Sequence, residues 1–533
     1  MKKLSDLEYL KLSKLQRLWY NILMFLYAIP GWFVKLGKGI VNFFVKCATG
    51  IKDGILDIGH TFSKGNWAVK LSFLVFGMGN LYYGQVMRGL FFLLFEVVFL
   101  TYMFLPSGGI YWLQKGNWFQ YNGTVGTNQG HMETVPVDPD LEAILGPGAT
   151  TEVWVSGDDS VKVMLYGLLT IVFIIAFIWT WRIQVKQCRI CMDITASGKK
   201  VKSGKQDLRS LVDDEFHKTL LALPTAGIMF FTVLPIIYMV IIAFTNYDFN
   251  HNGHANLFSW VGLDNFNQLF NFEKGGLGLA FGEILGWTLI WAFFATFSNY
   301  FLGMLVAIMI NKKGIRLKKF WRTVLVMTIA IPQFVSLLYV SKLFDSSGII
   351  GKAVGSIPSV AQWLVANNYK SLWDSPTLSK ILVIVINVWI GIPHIMLMAT
   401  GILMNIPDDL YESSKIDGAT GFQQYKRITL PYMLFVTGPY LLTSFVGNLN
   451  NFNVIYLLSG GGPANTDIGI VGGATVGHTD LLITFLYKMT VDSAEQKYYQ
   501  ASIIGILVFV VVAILSLVVY NIIPSTKNEE DFK

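Results

Sequence analysis

The chain has 533 residues, of which 53% are hydrophobic and only 14% are charged. Its mean hydropathy is +0.50, and ordinary globular domains carry about 25% charged residues. These values exclude a typical soluble enzyme and predict an all-α integral membrane protein, because a helix satisfies its own backbone hydrogen bonds in lipid. The net charge of +7 needs no nucleic-acid partner, since basic loops facing an anionic membrane leaflet account for it.

Residues 1–86 form a predicted cytoplasmic or interfacial N-terminal region. Residues 19–45 mix Phe, Leu, Ile and Trp with lysines, which favours a helix lying in the membrane interface, with a true crossing as the alternative. Residues 68–84 are apolar but short and glycine-rich, so a re-entrant or surface hairpin is favoured over a crossing. We find no cleavable signal peptide, and the N-terminus is therefore expected to stay cytoplasmic.

Eight runs of mostly apolar residues are long enough to cross the roughly 30 Å hydrocarbon core as helices. The predicted spans are 87–106, 161–181, 219–244, 284–310, 322–344, 379–404, 432–457 and 498–523. The predicted organisation is two leading spans within 87–181, a flexible basic cytoplasmic linker at 182–218, a six-helix core at 219–523 and a cytoplasmic tail at 524–533.

The placement of charges predicts the orientation of the spans. The linker 182–218 holds nine Lys and Arg, and residues 311–322 hold six without an acid. The loop 107–160 instead has one Lys against seven acids. Because Lys and Arg collect in cytoplasmic loops, the first two segments are expected inside and the loop 107–160 outside. Alternation then places residues 405–431 and both termini in the cytoplasm.

The sequence carries no recognisable catalytic motif. It has no phosphate-binding G-x-x-x-x-G-K-[ST] loop, no H-E-x-x-H and no G-x-S-x-G pattern. Cys47, Cys188 and Cys191 all lie on the predicted inner side and are expected to be reduced thiols. Cys188 and Cys191 have the spacing of half a zinc site, but a second pair of ligands is lacking. We therefore expect no catalytic residue, cofactor or metal in this chain.

A polar segment at 405–431 separates two apolar runs. Pro407 followed by two aspartates predicts a helix start, and Gly418 predicts its end. Asp417 is then expected to cap a second short helix over 419–427. An ordinary amphipathic loop between two spans is the alternative.

The sequence L-Y-E-S-S-K-I-D-G-A at 410–419, followed by I-T-L-P at 428–431, resembles the EAA coupling loop of ABC-importer permeases. The resemblance implies a pair of short helices that docks on a cytoplasmic ATPase and transmits its closure. The implied coupling residues are Tyr411, Glu412, Asp417, Gly418 and Ala419.

Polar residues also recur inside the apolar spans. Ser444, Asn448 and Asn451 are spaced i, i+4 and i+7, which places them on one face of a helix. Amides both donate and accept hydrogen bonds, as sugar hydroxyls do. Gly391 and Pro393 are expected to break their helix near mid-membrane and to free backbone groups toward a pore. The alternative is that the asparagines only join helices, in a permease whose partner holds the ligand.

Three segments resemble the MalF-type permease subunit of maltose and maltodextrin importers: S-F-V-G-N-L-N-N-F at 444–452, G-G-G-P at 460–463 and N-V-W-I-G-I-P at 387–393. The resemblance covers about residues 219–523 and implies a type I ABC importer permease fold. The implied substrate-binding residues are Asn387, Gly391, His394, Ser444, Gly447, Asn448 and Asn451. The family has Tyr at the position of His394 and Phe at that of Gly447, so its stacking faces are missing or moved here.

The resemblance also implies function and partners. We expect uptake of maltodextrin-like oligosaccharides across a bacterial plasma membrane by alternating access. The implied partners are a second, MalG-like permease, two copies of a cytoplasmic ABC ATPase that binds ATP and Mg, and an extracytoplasmic sugar-binding protein. A lipoprotein is expected for the last, because residues 246–283 lack the large insertion of Gram-negative maltose permeases. The alternatives are a scaffold or sensor without its own ligand site and, less favoured, ion-coupled transport.

Overall fold

The computed structural model describes residues 52–138, 144–210, 212–213, 216–251, 253, 256–312 and 314–522, with isolated residues between 13 and 50. The predicted interfacial helix at 19–45 falls largely outside these residues, and Cys47 and the tail at 524–533 fall wholly outside. The chain divides into two compact units. One unit consists of Met1–Tyr111 and Leu168–Gly227, and the other of Trp112–Gly167 and Ile228–Lys533. The domain limits predicted from the sequence stay a prediction.

Within the described residues, eight helices are long and apolar enough to cross a membrane, as predicted. We name them span 1 to span 8 in chain order: Val86–Phe104, Ser160–Ala196, Thr219–Ile242, Leu277–Asn311, Gln333–Gly355, Pro376–Leu403, Gly421–Leu449 and Tyr498–Leu517. Other described helices are Trp67–Leu71, Met78–Tyr82, Gly109–Lys115, Gly204–Ser210, Lys318–Ala330, Pro358–Ala366, Asp408–Ile416, Phe452–Leu458 and Leu482–Tyr487. The all-α class is confirmed.

In the first unit, a hairpin of two short helices precedes span 1. Trp67–Leu71 and Met78–Tyr82 are five residues each, far short of the about 20 that a crossing needs. The backbone N–H of Phe76, between them, donates to the Glu96 carboxylate of span 1 at 2.8 Å. This bond gives a partner to a carboxylate that is only 7% exposed.

Span 2 is longer than predicted. It has 37 residues, a length of about 55 Å at 1.5 Å per residue, and it absorbs residues 182–196 of the predicted flexible linker. Cys188 and Cys191 lie buried in this helical extension, and neither forms a disulfide with another described residue. The predicted flexibility of the linker was therefore wrong for residues 182–196, because they contain neither Gly nor Pro and the helix continues through them.

The segment Trp112–Gly167 of the second unit contains an antiparallel hairpin. Strand His131–Pro136 pairs with Thr150–Val155, with His131 opposite Val155. Lys115 and Asp158 form an ion pair at 2.6 Å. Burial disfavours the charged form of Asp158, but hydrogen bonds from Lys115 and from two backbone N–H groups outweigh it, and the pKa of Asp158 falls to about 2. A second hairpin pairs Ile470–Val471 with Ala474–Thr475.

The core of the second unit lies where span 4 packs on span 6. The buried residues of this contact include Tyr300, Met304, Ala307, Ile395, Met396 and Ala399. Gly303 permits the close approach, since a Cβ there would lie 2.5 Å from the Cβ of Ile395. Small residues at such contacts let membrane helices pack closely.

The span predicted at 322–344 is not one helix. The chain forms Lys318–Ala330, breaks at Ile331 and Pro332, and resumes as Gln333–Phe344. Ile331 is extended (φ −83°, ψ 127°), because a residue before proline is pushed out of the helical region. Helix Lys318–Ala330 also has no buried residue to hold it straight. The fifth span therefore begins after this break, at Gln333.

Candidate functional site

The predicted coupling segment folds as one short helix followed by the first turns of span 7. The predicted separate short helix over 419–427 was wrong, because the chain continues as a helix from Gly421 to Leu449. The first helix is Asp408–Ile416, so the predicted helix start is confirmed, although Pro407 stands at the N-cap and not in the first turn.

Gly418 follows the first helix at φ +74°, a backbone region that favours glycine. The prediction that Asp417 caps the second helix was wrong. Asp417 closes the first helix, and Thr420 caps the second, which begins at Gly421.

The N-terminus of the second helix is closed by a capping box. The Thr420 hydroxyl accepts from the backbone N–H of Gln423, and the Gln423 side chain accepts from the backbone N–H of Thr420. Two backbone N–H groups at the helix start, which have no partner within the helix, thereby gain hydrogen-bond acceptors. The T-x-x-Q pattern at 420–423 is the signal in the sequence that would have predicted this cap.

A residue that sequence reasoning missed, Gln424, joins the two helices. Its Nε2 donates to the backbone carbonyl of Tyr411 at 3.0 Å and to Ser414 Oγ at 2.7 Å. The Tyr411 hydroxyl lies 2.9 Å from Thr429 Oγ1. Ser414, which stands in place of an alanine of the resembled motif, therefore takes part in holding the segment together.

Most of the other predicted coupling residues are exposed. Glu412, Asp417 and Gly418 are exposed, and Ala419 is half-buried. Ile416 and Phe422 are 87% and 73% exposed. Apolar side chains of this size next to a carboxylate offer a mixed apolar and acidic surface for a partner protein.

The second group of predicted site residues begins on span 6. The expected break at Gly391 and Pro393 was wrong, because the α-helix runs from Pro376 to Leu403 without interruption. Pro393 is buried, and packing against neighbouring helices lets a membrane helix tolerate proline. The break in the chain lies instead at Ile331–Pro332.

A cavity of about 390 Å³ lies beside that break. Two predicted site residues, Gly391 and His394, are among its walls. The other described residues that line it are Thr328, Ile329, Ile331, Pro332, Gln333, Ser336, Trp389 and Ile390. None of these is Asp, Glu, Lys or Arg, so the described lining suits an uncharged polar ligand, and its volume is typical of small-molecule sites.

His394 has an aromatic neighbour that the sequence did not reveal. The ring of Tyr440 on span 7 lies 6.2 Å from that of His394, at an interplanar angle of 37°. Tyr440 is also hydrogen-bonded to the predicted site residue Ser444, one turn further along. The resembled family has a tyrosine at the position of His394. Here a tyrosine ring next to that position is supplied by Tyr440 on the neighbouring helix.

Gly391 also makes room for a polar side chain of span 4. A Cβ at Gly391 would lie 2.7 Å from both Cγ and Nδ2 of Asn299. Asn299 Oδ1 and Asn387 Nδ2 are buried, and neither has a hydrogen-bond partner among the described residues. Buried polar atoms without a partner are rare and call for an explanation such as a water or ligand. Sequence reasoning missed Asn299, whose signal is an amide within an apolar span.

The predicted stripe of Ser444, Asn448 and Asn451 does not lie on one helix. The helix ends at Leu449, and Asn451 caps the next one, Phe452–Leu458, by accepting from the backbone N–H of Val454. Asparagine favours such cap positions because its side chain replaces a missing backbone partner. The predicted single span at 432–457 was wrong for this reason.

Asn448 is engaged with its neighbours. Its Nδ2 donates to Thr296 Oγ1 of span 4 at 3.0 Å, and its Oδ1 accepts from Asn451 at 3.2 Å. These contacts fit the alternative that the asparagines join helices. Gly447 is exposed, with no atom within 4 Å of where a Cβ would stand.

Known proteins are similar to this chain in sequence. Residues 299–527 match the family described as binding-protein-dependent transport system inner membrane component. The chain is 32% identical over 379 residues to the maltodextrin transport system permease protein MdxF of Bacillus subtilis, covering 70% of this chain and 84% of that protein. It is 32% identical over 358 residues to the galactooligosaccharides transport system permease protein GanP of the same organism, covering 66% and 81%.

The maltose/maltodextrin permease MalF of Escherichia coli is 34% identical over 262 residues, covering 48% of each chain. A chain of a bacterial alginate ABC transporter superposes with a TM-score of 0.47 at 21% identity, covering 62% of this chain and 100% of that one. The chain belongs to the family of inner-membrane permeases of binding-protein-dependent transport systems, in its MalF-type branch of carbohydrate ABC importers. The predicted resemblance is confirmed.

Proposed function

We propose that this permease forms half of the membrane pathway of an importer for neutral oligosaccharides. The observation that carries the proposal is the cavity beside Pro332, whose described walls combine uncharged polar and aromatic side chains. An uncharged sugar needs hydrogen-bond donors and acceptors rather than fixed charges. The names of the relatives, which include maltodextrin and galactooligosaccharide permeases, agree with this substrate class.

The proposed sugar site comprises the cavity between the break at Pro332 and span 6, and it extends from His394 to the facing residues of span 7. His394 and Tyr440 supply rings, and Ser444 supplies a hydroxyl beside them. Asn387 offers a buried Nδ2 that has no hydrogen-bond partner among the described residues. The other proposed contacts are Gly391, Gly447, Asn448 and Asn451. Tyr440 takes over the stacking role that the resembled family assigns to the position of His394.

The coupling segment is proposed to dock on the ATPase. One part of the docking surface is acidic because it contains Glu412 and Asp417. Its other residues are Tyr411, Gly418 and Ala419. Ile416 and Phe422 add exposed apolar area. Two copies of that separate subunit bind ATP with Mg and hydrolyse the ATP, and this chain needs no cofactor of its own.

The complete transporter is proposed to include a second, MalG-like permease, because one chain provides only one side of the pathway. A sugar-binding lipoprotein docks on the outer side, where loop 107–160 lies. Both termini are cytoplasmic, and the complex sits in the lipid of a bacterial plasma membrane. Sugar-loaded binding protein outside and ATP inside together open the cavity outward, and hydrolysis resets it.

The test is sugar-stimulated ATPase activity of the reconstituted transporter with its binding protein, over a panel of α- and β-linked oligosaccharides. If Asn448 contacts the sugar, Asn448→Ala raises the half-saturating sugar concentration. The matched variant Thr296→Val removes only the hydrogen bond between spans 4 and 7 and leaves that value unchanged. Equal shifts in the two variants would show that Asn448 only joins helices. A response to no sugar in wild type would refute the substrate class.

A further inference from the structure

A cavity that none of the predicted site residues lines lies within the second unit, at the ends of three spans. It measures about 290 Å³, close to the lower end of the range for small-molecule sites. Span 2 contributes Val161 from its first turn, span 3 contributes residues between Pro235 and Ile242, and span 8 contributes its first five residues in part. None of the described residues that line the cavity is Asp, Glu, Lys, Arg or His.

The cavity runs from the level of the span ends into the apolar part of the spans. Tyr498 is the first residue of span 8, and Tyr247 follows the end of span 3. Their rings stack at a centroid distance of 4.7 Å and an interplanar angle of 15°. Pro235 lies seven residues before the last residue of span 3, which is about 10 Å deeper along the helix. Tyrosines thus lie at the end where membrane proteins meet the interface, and apolar groups lie beyond them.

Ser502 places a buried hydroxyl in the wall of this cavity. It is 7% exposed and lies one turn after Tyr498. Thr490, which also lines the cavity, donates to the backbone carbonyl of Leu486 at 3.1 Å. Ser502 makes no such bond, and its hydroxyl has no hydrogen-bond partner among the described residues. Because a buried polar group without a partner costs free energy, a ligand that hydrogen-bonds to Ser502 is favoured here.

The surroundings of the cavity disfavour an anionic ligand. The lysines next in sequence to the lining residues are paired with acids, Lys162 with Asp159 at 3.4 Å and Lys497 with Glu495 at 3.3 Å. Burial raises the pKa of Tyr247 to about 12, and the carboxylate of Asp159 adds to the rise. The phenol is therefore neutral, and a negative charge lies close enough to the cavity to repel an anion. An uncharged ligand fits these surroundings best.

We propose that this cavity binds a membrane lipid whose head is uncharged and carries hydroxyl groups, that is, a glycolipid. The hydroxyls of the head pair with Ser502 beside the tyrosine rings. An acyl chain follows the apolar wall of Met239 and Leu486 toward Pro235. Hydroxyls both donate and accept hydrogen bonds, so such a head gives Ser502 the partner it lacks. The inference does not depend on which sugar the transporter carries.

The experiment uses the full chain in the assembled transporter. The probes are diglucosyldiacylglycerol and phosphatidylglycerol with identical acyl chains, present in equal amounts in lipid discs. Native mass spectrometry of the released transporter measures how much of each lipid is retained. Ser502→Ala removes the hydroxyl, and Ser502→Leu also fills the cavity. Ser516→Ala and Ser516→Leu are the matched controls, since Ser516 lies on the same helix and does not line the cavity.

We expect wild type to retain diglucosyldiacylglycerol in preference to phosphatidylglycerol. Ser502→Ala should weaken this retention by about fivefold, the worth of one hydrogen bond, and Ser502→Leu should abolish it. Both Ser516 variants should bind like wild type, which separates loss of the site from a general effect of changing span 8. Equal retention of the two lipids by wild type would overturn the proposal, because the head would then not be recognised. Equal retention of diglucosyldiacylglycerol by Ser502→Leu and Ser516→Leu would overturn it as well, because the lipid would then bind elsewhere.

Discussion

The contact of Gly391 with Asn299 gives a sharp test of how spans 4 and 6 pack. In Gly391→Ala the new methyl group would stand 2.7 Å from Cγ and Nδ2 of Asn299, and closer still to Oδ1. Asn299 Nδ2 also donates to the backbone carbonyl of Ala295 at 2.8 Å. To relieve the clash, the amide must rotate and give up this hydrogen bond, or the two helices must separate.

The cost can be estimated from these contacts. Overpacking of a filled contact costs about 1–3 kcal/mol, and the hydrogen bond adds about 1 kcal/mol. Alanine gains up to about 1 kcal/mol over glycine within a helix. We therefore expect Gly391→Ala to destabilise the chain by about 1–3 kcal/mol. It should also weaken the sugar response, because Gly391 lines the cavity proposed to hold the sugar.

Thermal unfolding of the reconstituted transporter and sugar-stimulated ATPase activity are the two readouts. Gly401→Ala is the matched control, since it lies on the same helix and its Cβ would meet no atom within 4 Å. Adding Asn299→Ala to Gly391→Ala removes the clash and should restore much of the lost stability. If Gly391→Ala proved as stable as Gly401→Ala, the described packing of spans 4 and 6 would be wrong.

The remaining predictions concern the coupling segment and two ion pairs. Gln424→Ala removes both hydrogen bonds that join the coupling helices, so coupled ATP hydrolysis should fall by about fivefold; an unchanged rate would contradict this role. Asp480→Asn leaves the ammonium of Lys488 without the fully buried partner it contacts at 2.7 Å, so thermal unfolding should show a loss of about 3–5 kcal/mol, largely recovered when Lys488→Met is added. The pKa of Asp158 is lower in the folded chain, so its stabilisation of about 2 kcal/mol is present above about pH 4 and is lost as the pH falls toward 2. Acid titration of the unfolding of Asp158→Asn should lack this loss, whereas an unaltered profile would show that the pair with Lys115 contributes little.

Local preferences made much of the chain predictable. Eight spans could be counted because a helix needs about 20 mostly apolar residues to cross a bilayer. Such runs are visible in the hydropathy of the sequence. The coupling segment was predicted for a similar reason, since Pro407 and Gly418 act on the backbone within a few residues. Where two local signals competed, as at Asp417 and Thr420, the sequence did not decide which residue would cap the helix.

What only the tertiary structure decided concerns residues far apart in the chain. Pro332 breaks its helix and Pro393 does not, because Pro393 lies buried inside a packed helix while helix Lys318–Ala330 has no buried residue. The pairs Asn448 with Thr296 and His394 with Tyr440 likewise join different spans. The sequence by itself determined the number of spans and the coupling segment, which depend on neighbouring residues. The cavity beside Pro332 depends on how the spans pack. The conformational preferences of neighbouring residues do not determine that packing.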